Sequence, residues 1–80
     1  LSYAEVIELY QIREVLERTA AQMSARVITE VELQELEVIQ SRMEKARHDA
    51  REMALINHTF HVAILNSAKN RYLWKALEYE

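Results

Sequence analysis

The chain has no glycine and no proline in 80 residues, and this double absence limits its fold more than any motif does. Without glycine there is no residue that enters positive φ free of steric penalty, so tight turns of that kind are not expected. Without proline there is no stiff Pro-rich linker. Gly-rich phosphate loops are excluded as well, which removes dinucleotide and P-loop nucleotide sites. Half of the residues are hydrophobic, and they recur at three- and four-residue steps. No strand-type alternation runs over a useful length, so the chain reads as helix throughout.

Local start signals divide that helix into about four. Ser2 with Glu5 has the spacing of a capping box and opens a first helix over about Ser2 to Arg26. Its apolar stripe is Val6, Leu9, Leu16, Ala20, Met23 and Val27. Thr29 with Glu32 repeats the box, flanked by Ile28 and Leu33 at the spacing of a hydrophobic staple. The second helix turns Leu33, Leu36, Ile39, Met43 and Ala46 inward. Arg42, Lys45 and Arg47 lie near its C-terminal end, where cations oppose the helix dipole favourably. Asp49 with Glu52 starts a third helix reaching about Ser67, with Met53, Ile56, Phe60, Ala63 and Ile64 toward a core. Asn70 is the N-cap of a fourth, bearing Leu73, Trp74 and Leu77. The short connections predict that successive helices pack antiparallel as neighbours.

Charge and composition bound the function. The 13 acidic residues outnumber the 10 basic ones, for a net charge of −3, a poor footprint for a polyanion partner. Any contact with DNA is therefore expected from another segment. No apolar run approaches the roughly 18–20 residues of a membrane span, and no basic-then-apolar leader opens the chain. There is no cysteine, hence no disulfide and no thiolate zinc site, which is compatible with a reducing compartment. The chain begins at Leu1 rather than Met and is expected to be a piece of a longer protein. Single cores of this size are marginal, seldom above about 3–5 kcal/mol without staples.

Two polar side chains sit where packing alone does not require them. Asn57 and His61 lie four apart, so on a helix they share a face. Imidazole nitrogen binds Zn²⁺ or Ni²⁺ well, but an amide oxygen is a weaker donor than a carboxylate. Two protein ligands also fall short of the three or four in transition-metal sites. The pair therefore reads either as part of an incomplete metal site or as a partly buried histidine bonded to a neighbour beside a polar seam. Arg13 interrupts the first apolar stripe between Leu9 and Leu16. Its guanidinium can snorkel, pair with Glu17 four residues on, or anchor a carboxylate in its planar fork. His58 is expected to face solvent or a subunit contact, and His48 to serve local capping. Tyr72, Trp74 and Tyr79 form an aromatic cluster of the core or interface kind rather than a base-stacking platform. No nucleophile–base pair is apparent, so no enzyme is expected.

Arg13-Glu14-Val15-Leu16-Glu17 with Ala20, Ala21 and Ala25, then Thr29 with Leu33 and Leu36, resembles the opening of the FCD domain of GntR-type bacterial transcription regulators. The family's most recognisable segment reads Asp-x-x-Phe-His, then a helix of small apolar residues, then Asn-Pro and a Leu. Here it is matched by Asn57-His58-Thr59-Phe60-His61 and by Asn70-Arg71-Tyr72-Leu73. The resemblance covers essentially all 80 residues. It implies an all-α antiparallel bundle that dimerises and encloses a cavity, of which this chain would be the first half. The cavity often holds a divalent metal on an Asp and three His and binds small carboxylates. By that resemblance Arg13 is the carboxylate-facing arginine, His61 the first metal histidine, and Asn57 stands where the metal aspartate would be. Asn57 weakens or abolishes metal binding and turns the position toward hydrogen bonding a ligand directly. Arg71 replaces the usual proline but leaves the N-cap intact.

The resemblance thus implies a cytoplasmic sensor-domain piece, Leu1 to Glu80, of a regulator that changes its DNA binding when a small carboxylate binds. The DNA reader would be a winged helix-turn-helix before Leu1, and two further metal histidines would follow Glu80. The competing expectation is a purely structural helical module that drives oligomerisation with no ligand, Arg13 and His61 then fixing register at an interface. A half-bundle also predicts an uncovered apolar face along Phe60, Ile64, Leu73 and Leu77, and self-association through it.

Overall fold

A computed structural model describes residues 1–78. Among these the architecture is all-α: α1 is Tyr3–Val27, α2 Glu30–Lys45, α3 Ala50–Ser67 and α4 Arg71–Glu78. The starts are fixed by the local chemistry the sequence announces. Ser2 Oγ accepts from the Glu5 N–H at 3.2 Å, and Glu5 accepts from the Ser2 N–H at 3.1 Å. That return bond holds the Glu5 carboxyl below its ordinary range. Thr29 and Glu32 close the same reciprocal pair. Asp49 forms only half of it, accepting from Glu52 N–H at 3.1 Å. Asn70 Oδ1 accepts from both Tyr72 and Leu73 N–H groups, so the fourth cap is in place without the proline.

The helices do not all pack in chain order. α3 lies in the middle, with α2 on one flank and α1 on the other, and α4 packs on α1 and α3. Successive helices are neighbours for α2–α3 and α3–α4. They are not for α1–α2, which make no contact among the described residues. The cause is the connection. Ile28 (ψ 136°) and Thr29 (ψ 162°) are both extended, so the chain steps sideways instead of folding back, and α3 later fills the gap.

The result is a slab of 38 × 33 × 15 Å. α1, α3 and α4 each pack on the other two, so they form a triangle, while α2 extends the slab on the far side of α3. The innermost residues, Ala20, Ala68 and Leu73, therefore sit where α1, α3 and α4 meet, ringed by Leu16, Met23, Ile64, Leu65 and Leu77. Ile39 and Ile56 are buried on the α2–α3 side. Leu9, Val27 and Leu33, expected inward, are exposed, because the neighbouring helices cover only part of each stripe. The expected open face moves for the same reason. Leu73 is buried, Phe60, Ile64 and Leu77 are half-buried, and the bare apolar side chains include Tyr3, Ile7, Tyr10, Ile12 and Val15 on α1, Val31 and Val38 on α2, Leu55 on α3 and Tyr72 on α4.

One turn departs from the glycine argument. Between α3 and α4 the backbone passes through Lys69 at φ 58°, a left-handed residue in a chain without glycine. Its ammonium reaches across to Glu32 Oε2 at 2.5 Å, tying this turn to the first turn of α2.

Candidate functional site

The α1–α3–α4 junction that holds the core also opens a cleft of about 280 Å³. Each wall is one helical stripe. α1 contributes Arg13, Glu17 and Ala20, spaced by four and three residues. α3 contributes His58, His61, Val62 and Leu65, the i, i+3, i+4, i+7 pattern of one helix face, with Ile64 beside them. α4 closes the cleft with Trp74 and Leu77.

Arg13 and His61, singled out on separate helices, thus line the same cavity. Asn57 does not: it is exposed and absent from the lining. By angle Asn57 falls between His61 and Ile64, both in the lining, so rotational phase alone does not exclude it. It precedes His58, the first α3 residue of the lining. His58, given no role from sequence, takes the position expected of Asn57. The signal was present in the four-residue stripe His58, His61, Val62 and Leu65, which places one imidazole a turn below the other.

Arg13 Nε donates to Glu17 Oε1 at 3.2 Å, with the two side chains 39% and 35% exposed. This is the Glu17 pairing that the sequence allowed, and it lies inside the cleft rather than in place of it. Nε is the only Arg13 nitrogen engaged by a described residue, so the edge formed by the two Nη groups is available to an incoming carboxylate. An i,i+4 pair of this exposure contributes roughly 0.3–0.5 kcal/mol. A charge-assisted hydrogen bond to a ligand, about 1.5–3 kcal/mol, outweighs it. His61 is exposed, makes no hydrogen bond to a described residue, and meets the Phe60 ring edge-on at 6.1 Å. The partly buried, hydrogen-bonded histidine of the packing reading is therefore not what the structure contains.

The aromatic cluster divides across α4. Trp74 faces the cleft, while Tyr72 is exposed and lies under the Lys75 ammonium at 5.8 Å. Residues two apart on a helix point to nearly opposite sides. Tyr79 lies outside the described residues.

The described residues alone do not complete a divalent-metal site. Among the described residues no three His, Cys, Asp or Glu side chains gather closely enough to hold one. Asn57, which stands where the metal aspartate would be, is exposed and does not line the cleft. Two imidazoles are short of the three or four protein ligands that zinc takes. The chemistry these residues offer is anion recognition beside an apolar wall. No described helix is long and apolar enough to cross a membrane.

No curated protein and no solved structure matches the chain. The family model described as FCD domain matches residues 8–79. With nearly the whole length covered, and with four helices in the expected order, the chain belongs to the FCD domain family found in GntR-type regulators.

Proposed function

We propose that this chain is effector-binding and dimerisation domain of a cytoplasmic GntR-type transcription regulator, and that a small carboxylate is its effector. FCD domains belong to regulatory rather than enzymatic proteins. The observation that carries the proposal is the convergence of Arg13 from α1 and the His58–His61 stripe from α3 on one cleft. A carboxylate seated on the free Arg13 edge would bridge α1 and α3. Binding that differs between two dimer geometries shifts the equilibrium between them, and with it the fit to an operator. DNA contact itself belongs to a winged helix-turn-helix outside these residues, consistent with the net charge of −3.

The test is titration of the intact protein with small carboxylates while operator binding is followed. At least one should change operator affinity, and Arg13→Ala should abolish the change. If no carboxylate alters operator binding, the effector reading is wrong.

The second reading is a purely structural oligomerisation module, and the bare apolar side chains on α1, Tyr3, Ile7, Ile12 and Val15, favour it. Arg13→Leu and His61→Leu separate the two. An altered oligomeric state supports the structural module. Unchanged assembly with a lost carboxylate response supports the sensor.

A further inference from the structure

The wall of the cleft says more about its ligand than that it is an anion. Charged and imidazole groups are confined to Arg13, Glu17, His58 and His61 on α1 and α3. The remaining lining, Ala20, Val62, Ile64, Leu65, Trp74 and Leu77, carries no side-chain hydrogen-bonding group other than the indole N–H. Resting on the effector reading above, we propose that the ligand is a monocarboxylate with a hydrocarbon body, aliphatic or aromatic, and not a polyhydroxylated or dicarboxylic acid. Its carboxylate lies on the free edge of Arg13 with the His58 and His61 imidazoles donating beside it. Its body lies along Val62 and Leu65 and against the face of Trp74.

Two physical points decide the class. Beyond Glu17 and the two imidazoles, a sugar acid would bring its further hydroxyls against a described wall that offers only the indole N–H, and each hydroxyl moved from water without a partner is disfavoured. A second carboxylate would meet that same wall, or the Glu17 carboxylate, with no cation assigned to it. The α4 aromatic, by contrast, offers a broad apolar face to a hydrocarbon or ring. His58 becomes a specificity contact of the head group, because it lines the cleft one turn from His61 on the same stripe.

The experiment uses the intact protein and four probes: hexanoate and phenylacetate against gluconate and malate. Binding is read by Trp74 emission and, independently, by calorimetry. Hexanoate or phenylacetate is expected to bind at least tenfold tighter than gluconate and malate. His58→Ala should weaken the better probe several-fold without changing assembly. Trp74→Ala should erase most of the preference, and Val62→Thr, a near-isosteric change that adds a hydroxyl to the wall, should narrow it toward gluconate. Gluconate or malate binding as tightly as the hydrocarbon acids would overturn this assignment while leaving the effector reading intact. No binding by any of the four, together with no response of operator binding to a wider set of carboxylates, would overturn both.

Discussion

Ser24 Oγ and Ser67 Oγ lie 2.5 Å apart, buried where α1 crosses α3 and separated by 43 positions in sequence. Ser67 also donates to the Ile64 carbonyl at 2.8 Å. A hydroxyl has one proton. With that proton given to Ile64, the pair has one direction: Ser24 donates, Ser67 accepts. The two substitutions are therefore unequal. Ser67→Ala strands the buried Ser24 hydroxyl and should cost about 1–3 kcal/mol. Ser24→Ala leaves Ser67 bonded to Ile64 and should cost roughly 0.5–1.5 kcal/mol. The double variant should be less destabilised than the sum, since no orphan remains. Equal single costs in chemical denaturation, with additivity in the double, would contradict the assigned direction.

That serine pair also marks where sequence reasoning stops. Helix starts were legible because caps are local: Ser2, Thr29, Asp49 and Asn70 each act on backbone within three residues. Ser24 and Ser67 carry no such signal. Small polar residues read as helix surface, and their burial is created by a crossing that neither segment encodes alone. The same limit explains Asn57 and His58. Both sit on α3 near His61, and which one enters the cleft depends on how α3 is set against α1 and α4, which no single helix encodes. Arg13 was easier to recognise because a guanidinium inside an apolar stripe is anomalous at the level of a single helix. The separation of α1 from α2 was hidden too, since it follows from two extended residues rather than from any stripe.

Lys69 holds φ 58°, a region that opposes its Cβ by about 1–2 kcal/mol. Its side chain also pairs with Glu32. Two variants separate these effects. Lys69→Ala removes the pair and keeps the steric penalty. Lys69→Gly removes both, though it gives the unfolded chain more freedom. The glycine variant should be the more stable of the two by about 1 kcal/mol. Thermal melts showing alanine equal to glycine would mean that the turn has relaxed out of the left-handed region.

Glu32 is the hub of the same region, accepting from Lys69 and from the Thr29 N–H. The Lys69 ammonium first, and the Thr29 cap second, hold its carboxyl below the ordinary glutamate range. A depressed pKa means the folded state releases this proton more readily than the unfolded chain does. Its contribution is therefore present above the unfolded value, near 4.3 for glutamate, and is lost as pH falls through the folded value. Melting temperature should fall more steeply below about pH 4.3 in the native chain than in Glu32→Gln. Parallel acid profiles for the two would remove Glu32 from the account.

The eight residues of α4 are too few to be helical alone, since isolated helices below roughly 12–15 residues are marginal. α4 depends on packing by Leu73 and on the Asn70 cap, whose Oδ1 serves two N–H groups. Asn70→Ala should cost about 1 kcal/mol. Trp74 sits on this helix, so its emission should shift to the red before the main helical transition. Asn70→Asp keeps the acceptor and should behave like the native chain. A single transition, identical by Trp74 emission and by helical circular dichroism in Asn70→Ala, would show that the cap does not hold α4.

Glu17 has two opposed effects on the cleft. By accepting from Arg13 Nε it fixes the guanidinium plane so that the Nη edge is presented. As a carboxylate it also repels any anion that arrives there. Glu17→Gln preserves an acceptor oxygen while removing the charge, whereas Glu17→Ala removes both. With the two side chains 39% and 35% exposed, solvent screens the repulsion, leaving roughly 0.7 kcal/mol, about threefold in affinity. Carboxylate binding should therefore tighten about threefold in Glu17→Gln, and less or not at all in Glu17→Ala, where Arg13 loses its orientation. The gain in Glu17→Gln should shrink as ionic strength rises, because only the charge term is screened. Equal tightening in both variants would mean that Glu17 acts by charge alone and that Arg13 needs no positioning partner.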